Sequence, residues 1–306
     1  SIGDYAFADT YKIEYITIPA GVTSVGTCAF QNACEETGFV NGDLDTSQEL
    51  YGTLTLPESL TNMGYGVFSG LDVTSVKIPE SWTVIPEKTF EFSHDLTSVT
   101  IPAGIKEIGD YAFQYCTGLS SVSFPAGLER IGNRAFLHCT ALTQVTLPDG
   151  LKALEDGAFL SSGLTSQPAW PSGLEELGGS VYKLCENMTG TGTLPGGTLG
   201  DSASYIFQDS GISKAVIPDG VTRIPSLAFS SCENLTFVRI PASVTVIDDT
   251  AFYLCWEIAH VYYEGSQEDW EKITIGSYSD SALGKATLHC LGINHPPAEQ
   301  KPVYES

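Results

Sequence analysis

One short phrase recurs eleven times along the chain, and its spacing restricts what the chain can fold into. The phrase is an aliphatic residue, four further residues, then an aromatic preceded in most copies by a small residue. It falls at Phe7, Phe30, Phe68, Phe90, Phe113, Phe136, Phe159, Tyr182, Phe207, Phe229 and Phe252. From Phe68 onward the steps are 22, 23, 23, 23, 23, 25, 22 and 23 residues. Self-similarity at this interval marks a solenoid, in which each repeat buries its apolar face only against its neighbours. An array of this kind grows in one direction and is not limited by a spherical core, so one elongated domain is expected for the 306 residues.

The copy Leu96 to Cys116, LTSVTIPAGIKEIGDYAFQYC, shows two apolar pulses. In the first, Val99 and Ile101 alternate with Thr100, the period of a short strand with one buried face. Pro102 ends it, because proline has no amide to give to a ladder. Proline recurs at 19, 57, 79, 102, 125, 148, 171, 195, 218 and 241, each followed two residues later by Gly or Ser, which suit a tight turn; for Gly a positive φ is free of strain. The second pulse, Ile108 with Ala112, Phe113 and Cys116, reads as a turn followed by a short 3₁₀ or helical corner. Small residues before the ring, such as Ala29, Ala112, Ala135 and Ala158, would let coils approach closely. The rings would then stack in an internal column, since parallel strands about 4.8 Å apart set like over like.

Two segments break the rhythm. The step from Phe30 to Phe68 is 38 residues, which places an insertion near 31–52. In the stretch 186–212, Gly192 stands where a buried Val is expected and Ser202 replaces the aliphatic before Phe207, so this repeat should be the weakest. The repeats therefore run over 1–255. Residues 256–291 read as a C-terminal cap, with Ser266 and Asp269 as a capping box that opens a short helix and turns Trp270 and Ile273 inward. Pro296, Pro297 and Pro302 make 292–306 a tail. Ser1 to Phe7 is the middle of a repeat, which suggests a trimmed chain; the missing part could hold a signal peptide, further repeats or a cap.

The phrases IGDYAFQYCTGLSSVSFP and IPASVTVIDDTAFYLC resemble the BspA-like, treponemal-type leucine-rich repeats over about residues 2 to 290, and VYYEGSQEDWEKITIG looks like the cap of such arrays. The resemblance implies a leucine-rich-repeat solenoid of the α/β horseshoe type: a right-handed superhelix with a parallel sheet on its concave face and short 3₁₀ or helical corners on its convex face. It also implies secreted or surface proteins of host-associated bacteria and some protists, implicated in adhesion to host cells and to matrix proteins such as fibronectin and fibrinogen.

Composition narrows the partners. Fourteen Lys and Arg against 37 Asp and Glu give a formal charge of −23, so nucleic acid and acidic membranes would be repelled. No apolar run is long enough to span a membrane. Cys116, Cys139, Cys185, Cys232 and Cys255 each follow the aromatic by three residues and read as small buried hydrophobes; Cys28 and Cys34, beside the insertion, are better placed for a bridge. No C-x-x-C exists and the five histidines are scattered, so no zinc site is expected. Asn41, Asp43, Asp45, Ser47 and Glu49 faintly resemble a calcium loop, but Thr46 and Gly52 stand at its sixth and twelfth positions, and a solvated acidic loop is the reading. No cofactor motif and no catalytic constellation is found.

The outward strand positions remain: Thr17, Thr55, Lys77, Thr100, Ser123, Thr146, Ala169, Thr193, Val216 and Arg239. A mostly hydroxyl ladder is the ordinary way to hydrate a parallel sheet. With Tyr15, Phe237 and Tyr262 beside it, the same strip is a candidate surface for a protein or glycan. A monomeric, non-enzymatic binding or adhesion module is expected, with a passive spacer that presents other domains as the alternative.

Overall fold

The computed structural model describes residues 1–10, 16–33, 53–71, 73–197 and 204–292. It resolves into two compact units, Ser1–Thr189 and Gly190–Ser306. In chain order the first unit carries β1 (Ser24–Val25), β2 (Thr53–Thr55), β3 (Asn62–Met63), β4 (Ser75–Lys77), β5 (Val84–Ile85), β6 (Ser98–Thr100), β7 (Glu107–Ile108), β8 (Ser121–Ser123), β9 (Arg130–Ile131), β10 (Ala153–Leu154) and β11 (Glu176–Leu177). The second carries β12 (Thr191–Thr193), β13 (Lys214–Val216), β14 (Arg223–Ile224), β15 (Phe237–Ile240), β16 (Val246–Ile247), β17 (His260–Tyr263), α1 (Gln267–Trp270), β18 (Thr274–Ile275), α2 (Ser277–Leu283) and β19 (Thr287–Cys290). Every strand pair is parallel, so both units are leucine-rich-repeat-type solenoids.

The coils build two sheets, one more than the sequence pattern shows. The expected sheet, built from the strands before the prolines, runs β2-β4-β6-β8 in the first unit and β12-β13-β15-β17-β19 in the second. A second set of two-residue strands makes β5-β7-β9-β10-β11 and β14-β16-β18. Two residues are too few to show a period of two, which is why this sheet is invisible in the sequence. Between the sheets the proline carbonyl closes a turn: Ile105 N–H donates to Pro102 O and Leu128 N–H to Pro125 O, at 3.2 and 3.0 Å. The glycine in this turn has a positive φ at Gly220 (84°) but not at Gly104. At Gly104 the reason is proximity instead, since an added Cβ would lie 3.1 Å from the Trp82 carbonyl of the preceding coil.

The corners are not helical. Tyr111, Phe113 and Tyr115 N–H donate forward to the carbonyls of Asn133, Ala135 and Leu137 in the next coil, each at 2.8 Å. Ala112, Gln114 and Cys116 instead donate three residues back, to Gly109, Tyr111 and Phe113. A 3₁₀ helix would claim every amide for its own coil; here every second one is committed to the neighbour. The chain achieves this with left-handed residues two before and two after the ring, such as Tyr111 and Tyr115 (both φ 58°) or Arg134 and His138 (φ 51° and 60°). Non-glycine residues held there carry about 1–3 kcal/mol of strain each.

The ring column forms as expected. In the first unit the centroids of Phe7, Phe30, Phe68, Phe90, Phe113, Phe136, Phe159 and Tyr182 follow one another at 5.1, 5.8, 5.9, 5.5, 5.2, 5.4 and 6.1 Å, all stacked. In the second, Phe207, Phe229 and Phe252 stack at 5.6 and 5.3 Å. Ala112, Ala135 and Ala158 beside the rings are fully buried. The first sheet, by contrast, stops at β8. Thr146 and Ala169 lie outside any strand; at the latter, Pro168, in the inward position matching Val99 and Val122, has no amide to give to a ladder.

The irregular copy is repaired in the second unit. Gly192 keeps its place in β12, paired with Ala215, and the space a Val would take is filled by Ile212, whose Cδ1 would lie 2.8 Å from an added Cβ. Ser202 and most of the insertion fall outside the described residues, as do Cys34 and the acidic loop at 41–49. Ser266 and Asp269 form the capping box of α1, and Trp270 meets Tyr263 edge-on at 5.3 Å. Helix α2 then replaces the corner of a further coil: Ser279 Oγ accepts from the Phe252 N–H at 3.2 Å and donates to the Asp248 carbonyl at 2.7 Å.

Phe113→Ala or Phe136→Ala should lower stability by about 3–5 kcal/mol, through lost transfer energy and the cavity left in the column; an unchanged thermal melt for both would remove the column as a stabilising element. Gly192→Val, which restores the consensus residue, should lower stability by about 1–3 kcal/mol because Ile212 already fills the site, measured by urea titration.

Candidate binding faces

Because inward residues alternate with outward ones along each strand, the outward side chains of paired strands form rows. In the first unit Thr55, Lys77, Thr100 and Ser123 lie in register on β2, β4, β6 and β8, and all four are exposed. This is the hydroxyl-rich strip expected from the sequence, but shorter. Thr17 and Thr146 are exposed on non-strand chain, and Tyr15 lies outside the described residues. The hydroxyls that tie coils together sit elsewhere, just before the strands: Thr97 Oγ1 donates to the Thr74 carbonyl at 2.9 Å and Ser120 Oγ to the Thr97 carbonyl at 3.2 Å. The same position holds Thr236, whose Oγ1 donates to the Ser213 carbonyl at 3.3 Å.

In the second unit the strip is different in kind. Its rows read Thr193, Val216, Arg239, Tyr262, His289 and Thr191, Lys214, Phe237, His260, Thr287. Phe237 stacks on Tyr262 at 5.0 Å, and Tyr262 lies on His289 at 4.4 Å with only 10° between the planes. His260 Nδ1 is 3.1 Å from His289 Nε2. Arg239 is not an open cation: it pairs with Glu264, lies 3.5 Å from Asp219, and donates to the Ile217 carbonyl at 3.3 Å. The strip is thus aromatic and imidazole-bearing, with its one guanidinium neutralised. The histidines, read as scattered, meet here because the cap changes the step: His260 and Tyr262 align with residues 27 further on, Thr287 and His289, where the repeat frame would look for them 23 further on.

A third face lies on the corners of the first unit. Phe92, Tyr115 and His138 each stand two residues after a column ring, with φ of 61°, 58° and 60°. Phe92 stacks on Tyr115 at 5.2 Å and Tyr115 meets His138 at 5.0 Å. On the other side of the column Lys88 Nζ lies 5.5 and 5.4 Å from the Tyr65 and Tyr111 rings. The sequence carried this signal, since the positions flanking the ring repeat at the same interval, but the ring itself drew the reading.

The charged clusters are cross-coil ties. Arg130 spans three coils, at 2.6 Å from Glu107, 2.8 Å from Asp110 and 2.6 Å from Glu155. Burial works against its charge, yet hydrogen bonds to Glu155 and Asp110 outweigh it and raise the guanidinium pKa. Asp248 is held by Arg223 at 2.9 and 3.0 Å and accepts from Ser226.

The column cysteines are free thiols, as is the buried Cys28. Each donates to the carbonyl of the ring residue one coil back: Cys116 to Phe90 at 3.1 Å, Cys139 to Phe113 at 3.2 Å, Cys232 to Phe207 at 3.0 Å and Cys255 to Phe229 at 2.9 Å. Ser93 takes the same place and reaches the Phe68 carbonyl at 3.4 Å. Burial pushes the thiols far from ionisation, Cys185 to about 11 and Cys232 to about 12, so they are donors and not nucleophiles. No helix is long and apolar enough to cross a membrane, and no group of three or more metal-ligating side chains occurs among the described residues.

The sequence matches the profile of the BspA type leucine rich repeat region, in six copies, over residues 1–40, 47–166, 106–198 and 166–282. Among solved structures, a leucine-rich repeat protein from Bacteroides ovatus aligns with a TM-score of 0.71 at 21% identity, covering 94% of this chain and 74% of that one. One from Eubacterium ventriosum aligns with a TM-score of 0.52 at 17% identity, over 98% and 82%. At these identities the likeness is one of fold. No curated protein matches the chain significantly.

Among the described thiols, only Cys290, which is half-buried, should be alkylated in the native protein, and the five column cysteines only after denaturation; mass spectrometry of the labelled chain would show a contrary pattern directly.

Proposed function

Since the chain belongs to the BspA-type leucine-rich repeat family, we propose that it is a non-catalytic interaction module whose binding face is the outward side of the second unit's sheet. The observation that supports this reading is the Phe237, Tyr262 and His289 stack beside the neutralised Arg239. Large aromatics on rigid strands lose little side-chain freedom on association, and such residues dominate the energy of protein interfaces. A charge of −23 directs the module away from polyanions and toward proteins or neutral glycans. In this reading it acts outside the cell, where surface proteins of this repeat type meet host or bacterial partners.

A spacer that presents other domains is the second reading, and the sheet of the first unit favours it. Thr55, Lys77, Thr100 and Ser123 are exposed side chains that hydrate a sheet and offer no apolar anchor.

Binding of the purified chain to immobilised fibronectin, fibrinogen and a glycan array tests both readings. Tyr262→Ala and Phe237→Ala should each weaken a detected interaction at least about tenfold, or about 1.4 kcal/mol, while Thr100→Glu and Ser123→Glu leave it unchanged. Loss with the latter pair alone would move the site to the first unit, and no binding to any probe would favour the spacer.

A further inference from the structure

The two imidazoles at the cap end of the second unit have a geometry that stacking alone does not require. His260, on β17, is exposed, and His289, on β19, is half-buried. They are diagonal neighbours across the strand pair, since His260 is opposite Thr287 and His289 opposite Tyr262. Their Nδ1 and Nε2 atoms face each other at 3.1 Å. Two nitrogens bound to one zinc-like ion at about 2.0–2.1 Å and separated by that distance subtend an angle of about 100° at the metal. That angle suits two neighbouring positions of a tetrahedral or octahedral ion. Imidazole is a preferred ligand of zinc, nickel and copper.

The surroundings hold the pair in place. Tyr262 lies flat on His289 at 4.4 Å and is itself stacked on Phe237, so the His289 ring plane is fixed by two layers of aromatic contact. His260 meets Tyr262 at 6.2 Å with the rings tilted, and its exposure leaves an approach for an ion from solvent. The neighbouring thiol of Cys290 belongs to the opposite side of β19, where it donates to Gln267 Oε1 at 3.3 Å.

We propose that His260 and His289 form a two-imidazole site for a divalent ion of the zinc, nickel or copper class, with solvent in the remaining positions. Binding needs a tautomer change and a tilt of the exposed His260 ring: the proton between the facing nitrogens moves to the far nitrogen of the ring that donates it, and both lone pairs then turn to the metal. The positions left to solvent can accept a donor group from outside the chain. The site does not depend on the reading of this face as a protein-binding surface.

The test is calorimetric titration of the metal-stripped protein with zinc or nickel ions alone, followed by imidazole NMR of the wild type. One ion per chain is expected, with the His260 and His289 resonances shifting and those of His94 and His138 unmoved. His260→Asn and His289→Asn should each weaken binding by more than about tenfold, with the metal-free circular dichroism spectrum unchanged, and Cys290→Ser should bind as the wild type does. Absence of one-to-one binding at millimolar ion, binding that survives both histidine substitutions, or NMR shifts confined to other residues would overturn the site.

Discussion

Everything in either unit rests on like side chains lying over like at the spacing of hydrogen-bonded strands. Strands of two or three residues have no independent stability, and a pair such as Glu107–Ile108 with Arg130–Ile131 persists only because the rest of both coils is already in register. The ring column sets that register. Each buried ring is worth about 1.5–3 kcal/mol, and slipping a coil by one residue would turn Phe113 away from Phe90 and Phe136 while breaking the amide contacts on both sides of it. The thiol or hydroxyl three residues later completes the arrangement by donating to the ring carbonyl of the coil before.

What the sequence revealed depended on whether residue identity by itself dictates conformation. Pro102 ends a strand wherever it sits, Phe113 has to be buried somewhere, and Ser266 with Asp269 opens a helix, so turns, column and cap were legible. The two-residue sheet was not, because Glu107 and Ile108 form no pattern. Nor were the left-handed corners, since Tyr111 and Tyr115 have no local preference for that conformation and adopt it only because the next coil offers carbonyls to Tyr111, Phe113 and Tyr115. Pro168, standing where the repeat expects an inward aliphatic, was the visible sign that the first sheet would not run on through Ala169. The binding faces were harder still. Phe237 and Tyr262 were named from their positions, but the approach of His260 to His289 arises from a longer step in the cap, which a fixed repeat frame misplaces.

The charges follow the same logic. With 14 cationic residues against 37 carboxylates, the arginines are placed where one guanidinium serves several coils: Arg130 reaches three acidic side chains and Arg239 two. The Arg130 ties and the Arg239–Glu264 pair are partly shielded from water, which makes them worth more than an exposed pair, and they leave the rest of the surface strongly anionic. An aromatic strip on such a surface is a place where a partner can find apolar contact, with Lys214 as the cation beside it.

Every second corner amide points toward the coil that follows, and the serine of α2 receives one from the Phe252 coil. A coil is therefore a polar building block with a donor side and an acceptor side, like a tile that locks only head to tail. In-frame duplication or loss of the coding sequence for one coil leaves both mating surfaces intact, whereas an inverted or frame-shifted copy has nothing to join. Gene arrays of this kind can lengthen and shorten by unequal recombination between their own repeats, with the terminal cap carried along unchanged.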